Sequence, residues 1–169
     1  NKYNLKFTIF ALPSFLDGKI ETNHYWNSWG YLDWKDLDFL MDKGMELGSH
    51  SYCHKNMLSL DNEQLLIEIA TSKEIMESRT GKNIKTFSYP YGKHNDNIKN
   101  IVKKSGYKAA CCSITGSLNS SVDLFELRRT EITKYDSLFD FKQKLKGCYD
   151  WLSWMQMREI NSGNSVTLK

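Results

Sequence analysis

The sequence has few of the features that would place it outside the ordinary globular proteins. It contains only two prolines in 169 residues, and no apolar run approaches the roughly 20 residues of a membrane-spanning helix. Its 23 basic and 20 acidic side chains are dispersed, for a formal net charge of +3. Its four cysteines show no C-x-x-C spacing. We therefore expect no transmembrane segment, no nucleic-acid-binding surface and no disulfide framework.

The composition is that of a folded domain. The hydrophobic share is 40% and the aromatic share 13%, which excludes the low apolar content of disordered chains. A chain of this length is large enough for one ordinary core and too short for two. We predict a single catalytic domain over residues 1–169. No charged-then-apolar leader opens the sequence, which also lacks an initiator methionine, as in a processed or trimmed product.

Strand and helix patterns alternate along the chain. Short β-branched and aromatic runs predict strands at residues 5–11, 45–47, 84–89, 107–112 and 126–133. Between and after them, helical spacing predicts helices capped by Asp33, Asp61 and Asp136 and a further helix around residues 98–102. Alternating elements of this kind favour right-handed βαβ units around a parallel sheet or barrel. In such folds the ligands gather at the carboxyl ends of the strands.

Two of the four histidines lie close together in the segment GSHSYCHK. His50 and His54 are four residues apart and follow a predicted strand. Neutral imidazoles at this spacing can converge on one Zn²⁺ ion, but two protein ligands are too few to bind a divalent ion firmly. A carboxylate would complete the site and leave positions open for water and substrate. Cys53 is an alternative third ligand, although a small buried thiol is its ordinary interpretation.

A second motif, Pro90-Tyr91-Gly92, follows the strand predicted at residues 84–89. Its structural interpretation is a turn that closes the strand. In the functional interpretation, the turn directs the backbone N–H of Tyr91 at a developing oxyanion, where one such donor contributes about 3 kcal/mol. The composition of the motif does not choose between the two.

Four segments in order carry a family resemblance: MELGSHSYCHKNMLSL, FSYPYG, SGYKAACCS and ELRRTEI. Together they resemble the polysaccharide deacetylase family, the NodB-homology domain of carbohydrate esterase family 4. The resemblance implies an α/β fold, a distorted (β/α) barrel, here expected to be incomplete at its N-terminus. It also implies a divalent metal, usually zinc with cobalt or nickel possible, held by one Asp and two His. The implied reaction is hydrolysis of N-acetyl groups from an N-acetylglucosamine-containing polysaccharide or amino sugar, and family habit suggests the cell envelope or the extracellular space.

The resemblance also assigns roles to residues. His50 and His54 match the two metal-binding histidines. Tyr91 matches the residue whose backbone N–H binds the acetyl oxygen, with Pro90 beside it in the substrate-binding turn. Arg129 matches an arginine near the catalytic site, and Arg128 is the alternative in register, with a solvated strand-edge charge as the competing interpretation of the pair.

Two further positions concern the substrate and the base. Ser88 stands where many members carry an arginine that orients the base. Trp26, in the aromatic loop of residues 14–31, is a candidate for stacking on a sugar ring, although packing over the mouth of the barrel explains such a loop equally well.

One motif of the family is missing from this sequence. A T-F-D-D-G-like strand end normally supplies the general base and the metal carboxylate, and it precedes the strand matched here by residues 5–11. Residues 15–18 bear only a superficial likeness to it, with the single carboxylate of Asp17. No histidine follows His94, so the general acid is also unmatched. Three hypotheses stay open: a metal-dependent deacetylase, an inactive glycan-binding relative, and a structural zinc site formed by His50, Cys53 and His54.

Overall fold

A computed structural model describes residues 5–18, 31–116, 123–153 and 155–156. Its strands are β1 (Thr8–Ala11), β2 (Glu46–Ser49), β3 (Thr86–Ser88) and β4 (Ala109–Cys111). Its α-helices are α1 (Pro13–Leu16), α2 (Trp34–Asp42), α3 (Asn62–Leu66), α4 (Ser72–Thr80), α5 (Asp96–Lys104) and α6 (Leu138–Leu145). A π-helical segment, Ile67–Thr71, joins α3 to α4, and 3₁₀ turns occupy Met57–Ser59 and Pro90–Gly92.

The four strands form one parallel sheet in the order β1-β2-β3-β4. Ala11 pairs with Ser49, Ser49 with Phe87, and Ser88 with Cys111, so the carboxyl ends of all four strands meet at one edge. Sequential order without a reversal is the arrangement of a (β/α) barrel, because a doubly wound sheet changes direction at a switch point. The predicted α/β class with parallel strands is confirmed.

Local capping patterns place two of the helices where the sequence predicts them. Asp33 caps α2 and Asp61 caps α3, each through a capping box in which the cap residue and the third helical residue satisfy one another's backbone N–H. Among the described residues no helix is both long enough and apolar enough to cross a lipid bilayer.

The core lies between the sheet and the long helical stretch that contains the π-helical segment. Phe87 stands at its centre, with ring centroids 5.5 Å from Tyr89 and 5.2 Å from Tyr107. The Tyr107 hydroxyl donates to the carbonyl of Ile69 at 3.0 Å, which fastens β4 to the helical layer. This packing leaves the edge formed by the strand ends available for a site.

The prediction of a strand at residues 126–133 is wrong. Only one parallel bridge forms there, between Cys111 and Leu127. The segment still follows β4 for a short distance, because Cys112 N–H donates to the Leu127 carbonyl and Arg129 N–H to that of Ile114. A β-branched pattern therefore marked an extended segment that does not form a full ladder.

Two details of the predicted helices also need correction. The N-cap of α6 is Ser137, whose side chain accepts from the N–H of Asp140, rather than Asp136. Asp136 instead accepts from Thr133 N–H and Lys144. In α3 the helical spacing of Leu66 and Ile69 predicts that Leu66 is in the core, but Leu66 is 50% exposed and Leu65, at 2%, is the buried residue.

Candidate active site

His50 is the first residue after β2, and its ring is fixed by a neighbouring strand. Its backbone N–H donates to the carbonyl of Ala11, which continues the β1–β2 pairing. Its imidazole Nδ1 lies 2.7 Å from the carbonyl oxygen of Ser88 at the end of β3. A carbonyl can only accept, so Nδ1 carries the proton and donates. The lone pair then resides on Nε2, the form in which a histidine binds a metal ion.

His54 completes the pair through an unusual backbone conformation. Ser51 and His54 both adopt positive φ angles, +75° and +63°, a region that non-glycine residues enter rarely. The N–H of His54 donates to Ser51 Oγ at 3.0 Å and closes the turn. As a result the two imidazole centroids lie 4.8 Å apart in a T-shaped arrangement.

Burial keeps both imidazoles neutral. It lowers the pKa of His50 to about 4, against the opposing effect of the Ser88 hydrogen bond and with smaller contributions from His54 and Arg129. Burial also lowers the pKa of His54, an effect that the nearby Glu68 charge partly offsets. Neutral imidazole is the metal-binding form, so the site is prepared for a cation near neutral pH.

The Pro90-Tyr91-Gly92 motif forms a 3₁₀ turn beside the histidines. The Tyr91 ring lies 4.6 Å from that of His54, and its side chain is 60% exposed. Tyr91 has a φ of +58°. The N–H groups of Gly92 and Lys93 close the turn onto the carbonyls of Tyr89 and Pro90, without using the N–H of Tyr91. Both interpretations of the motif are therefore compatible: the turn is real, and it holds Tyr91 next to the histidine pair.

Gly92 is required at the end of this turn. Its φ is +67°, and an added Cβ would lie 2.5 Å from the backbone nitrogen of Ser113. The close approach brings the segment after β4 against the turn.

Arg129 reaches the same edge from the segment after β4. Its Nη2 donates to Ser88 Oγ at 3.1 Å and its Nε to the Cys112 carbonyl at 3.0 Å. Its guanidinium lies 5.7 Å from the centre of the Phe10 ring. Ser88 therefore contacts the candidate metal ligand through its carbonyl and the arginine through its hydroxyl. The alternative residue, Arg128, packs its side chain against Gly116 instead.

Sequence reasoning missed Glu68. It lies in the π-helical segment and is 1% exposed. Its Oε2 accepts from the backbone N–H groups of Tyr52 and Cys53, at 3.1 and 2.9 Å. Its Oε1 accepts from the Cys53 thiol at 2.8 Å. The available signal was its place on the apolar stripe of the helix, next to Leu65 and Ile69, where an unpaired carboxylate is costly.

The residues fit a metal ion only in part. Within the described ranges, no group of three His, Cys, Asp or Glu side chains converges on one point. The Cys53 thiol is bonded to Glu68, so the structural site with Cys53 as third ligand finds no support. Asp17 accepts from Trp34 Nε1 at 2.8 Å and lies 3.6 Å from Arg79, as expected if it is not the missing motif. Trp26 lies outside the described residues.

His94 is largely buried. Its ring stacks on Tyr89 with centroids 4.5 Å apart, and its Nε2 lies 3.5 Å from Glu126. Its side chain is 13% exposed. These contacts give His94 a packing role.

Comparison with known proteins decides the family. The model of the polysaccharide deacetylase family matches residues 1–110. The chain belongs to the polysaccharide deacetylase family. The residues that match include His50, His54, Pro90 and Tyr91, whereas Arg129 lies beyond them.

Two relatives of the chain have descriptive names. A putative polysaccharide deacetylase of Bacillus subtilis, YxkH, is 22% identical over 132 residues, which are 78% of this chain and 44% of that protein. Chitin deacetylase 1 of Saccharomyces cerevisiae is 33% identical over 70 residues, which are 41% of this chain and 23% of that protein. The chain thus spans less than half the length of either relative.

Solved structures of deacetylases share the fold. The Streptococcus pyogenes deacetylase PplD, solved in complex with acetate, superposes with a TM-score of 0.75 at 21% identity, covering 85% of this chain and 60% of that one. A pseudoenzyme of carbohydrate esterase family 4 from Bacillus anthracis superposes with a TM-score of 0.56 at 13% identity, covering 97% and 53%. A mutant of that pseudoenzyme is described as having restored enzymatic activity. These likenesses establish the (β/α) barrel type for this chain.

Proposed function

We propose that this chain carries out metal-dependent hydrolysis of N-acetyl groups on an N-acetylglucosamine-containing polysaccharide or amino sugar. The proposal rests above all on the hydrogen bond from His50 Nδ1 to the Ser88 carbonyl. That bond leaves Nε2 as the free ligand atom, next to the neutral ring of His54. The family membership supports deacetylation as the chemistry.

His50 and His54 would hold the ion, with zinc as the leading candidate and cobalt or nickel as alternatives. When bound, a divalent metal polarises the acetyl carbonyl and the attacking water. Addition of that water to the acetyl carbon, followed by cleavage of its C–N bond, yields acetate and the free amine of the sugar.

Tyr91 and Arg129 would assist the histidine pair. The N–H of Tyr91 is not used to close its own turn, so it can donate to the oxyanion that forms on the acetyl oxygen, for about 3 kcal/mol. Pro90 fixes the start of this turn. Arg129 holds Ser88, and through it the strand end that orients His50.

The described residues do not supply every group that the reaction needs. They place no carboxylate beside His50 and His54 to serve as third ligand or general base. We assign both tasks to carboxylates outside the described ranges. We likewise assign sugar stacking to Trp26, which supports the proposal only by its residue type.

Acetate release tests the proposal. The protein is depleted of metal, reloaded with Zn²⁺, Co²⁺ or Ni²⁺, and incubated with N-acetylglucosamine oligomers while acetate and free amine are both quantified. We expect equimolar acetate and amine that depend on added metal and are lost in His54→Ala. Absence of both products with every metal, in a protein that contains the full-length chain, would rule the activity out.

A non-catalytic glycan-binding role is the second candidate. The incomplete ligand set within the described residues favours it, as does the fold shared with a pseudoenzyme. Calorimetric titration with the same oligomers separates the two roles. Binding without acetate release supports the second candidate, whereas release supports the first.

A further inference from the structure

The turn that carries His54 needs support from outside itself. Ser51 and His54 both have positive φ angles, which non-glycine residues adopt only at an energetic cost. Conformations of this kind persist only where surrounding contacts fix them. The bond from His54 N–H to Ser51 Oγ is internal to the turn, so it does not fix the turn relative to His50.

Most of the external contacts come from one helix face, and Ser14 of α1 adds hydrogen bonds from its N–H and hydroxyl to the Tyr52 carbonyl. Glu68 and Ser72 are four residues apart in the helical stretch, so both project towards the turn. Ser72 Oγ donates to the carbonyl of Ser51 at 3.1 Å and lies 2.7 Å from Ser49 Oγ at the end of β2. Glu68 accepts from the next two backbone N–H groups, those of Tyr52 and Cys53. Tyr52 and Cys53, the two residues between Ser51 and His54, are therefore both hydrogen-bonded to this helix face.

Of Glu68 and Ser72, Glu68 makes the stronger contacts with the turn. A buried carboxylate is expensive unless it is fully hydrogen-bonded, and a charged acceptor makes bonds roughly twice as strong as a neutral one. Three donors surround it, two backbone N–H groups and the Cys53 thiol, and Lys55 Nζ lies 3.9 Å away. The carboxylate also lies within a π-helical segment, and such segments occur frequently at functional sites.

We propose that Glu68 is a positioning residue of the candidate metal centre. It acts through the backbone of Tyr52 and Cys53 and sets the direction of the His54 ring relative to His50. Glu68 does not itself touch the ion. The proposal rests on the metal-binding role of the two histidines put forward above, but the orientation of His54 is a property of the metal-free protein as well.

Two measurements on the same variants test the proposal. The first is Co²⁺ affinity from the visible absorption of the cobalt-loaded protein. The second is the set of NOE contacts between the His54 and Tyr91 rings in metal-free protein. The centroids of these two rings are 4.6 Å apart. Urea unfolding of each metal-free variant shows whether it is folded under the conditions of the other two experiments.

We expect a graded loss. Glu68→Gln keeps an acceptor for the two N–H groups but loses the charge, and it should weaken Co²⁺ binding about three- to tenfold. Glu68→Ala should weaken it about 10- to 100-fold, the range for residues that orient metal ligands, and should abolish the His54–Tyr91 contacts. The matched control is Glu74→Gln, which neutralises an exposed carboxylate on the same helical stretch, and it should behave as the wild type.

Each result has a definite meaning. If Glu68→Gln, and Glu68→Ala where it folds, match Glu74→Gln in both affinity and NOE contacts, the positioning role is wrong. A loss of urea stability with unchanged affinity and contacts would also overturn it, because that is the behaviour of a purely structural carboxylate. If wild-type protein binds no Co²⁺, the proposed function fails, and the NOE contacts alone then decide whether Glu68 orients His54.

Discussion

A 2.7 Å hydrogen bond from the imidazole of His50 to the carbonyl of Ser88 joins the ends of two neighbouring parallel strands. The residues are 38 positions apart in sequence. The bond selects one tautomer of the ring and frees Nε2, while the hydroxyl of Ser88 accepts from Arg129. Ser88, at the end of β3, thus links the candidate metal ligand His50 to the candidate active-site residue Arg129.

Removal of either imidazole should abolish metal binding. We expect His50→Ala and His54→Ala to retain metal only at background level, since each removes one of the two histidine ligands. Elemental analysis of purified, dialysed protein provides the measurement. His94→Gln is the control, because the contacts of His94 are to Tyr89 and Glu126. Unchanged metal content in His50→Ala would refute the assigned site.

Substitution of Arg129 should impair turnover more than substitution of Arg128. Arg129→Met removes the donors to Ser88 and Cys112, and we expect kcat/KM to fall by about tenfold or more. Arg129→Lys should recover only part of the loss, because an ammonium group lacks the planar fork that serves two acceptors. Steady-state acetate release measures both. Equal losses in Arg128→Met and Arg129→Met would show that the register of the two arginines is misassigned.

Gly92 should tolerate alanine far less well than Gly81 does. Both have positive φ, +67° and +65°, but a Cβ at Gly81 meets nothing within 4 Å. We expect Gly81→Ala to lower the free energy of unfolding by about 1 kcal/mol. Gly92→Ala should cost about 1–3 kcal/mol more, because its Cβ would overlap Ser113. Urea unfolding compares the two, and similar losses would contradict the close approach.

The ion pair between Lys99 and Glu126 should make a pH-dependent contribution to the free energy of unfolding. The carboxylate of Glu126 lies 2.6 Å from Lys99 Nζ, and this hydrogen bond holds its pKa below the usual 4.5. A depressed carboxyl pKa gives stability that is fully present above pH 4.5 and is lost as the pH falls through the folded-state pKa. Partial exposure of the side chain limits the contribution to roughly 1 kcal/mol or less.

The free energy of unfolding of Glu126→Gln and wild type at pH 7, 5.5, 4 and 3 checks this expectation. The variant should be less stable at pH 7, and the difference should narrow as the pH falls below 4.5. Glu74→Gln serves as a control for the change in net charge. A difference that stays constant or grows towards pH 3 would contradict the assigned origin of the pKa shift.

Local patterns were sufficient for two of the three predicted helix caps, and the third, Asp136, was wrong by one residue. Asp33 and Asp61 cap their helices as predicted, because a capping box involves only residues three positions apart. The prediction failed where a distant partner decides. The prediction of a strand at residues 126–133 is wrong, because strand formation needs a pairing partner that cannot be identified from the sequence. Likewise the sequence places Glu68 on the apolar stripe of its helix, but the backbone donors to its carboxylate are defined only when the fold brings residues 52 and 53 to it.

The sequence by itself determined the family: the order of its motifs indicates the polysaccharide deacetylases, and the spacing of His50 and His54 predicts a metal site. Tertiary structure decided how those residues are presented. It set the tautomer of His50, the left-handed backbone of His54 and the contact of Arg129 with Ser88. Residue types and short spacings fix which atoms can donate, accept or ligate. Their mutual positions depend on the register of strands separated by dozens of residues, and only the folded sheet defines that register.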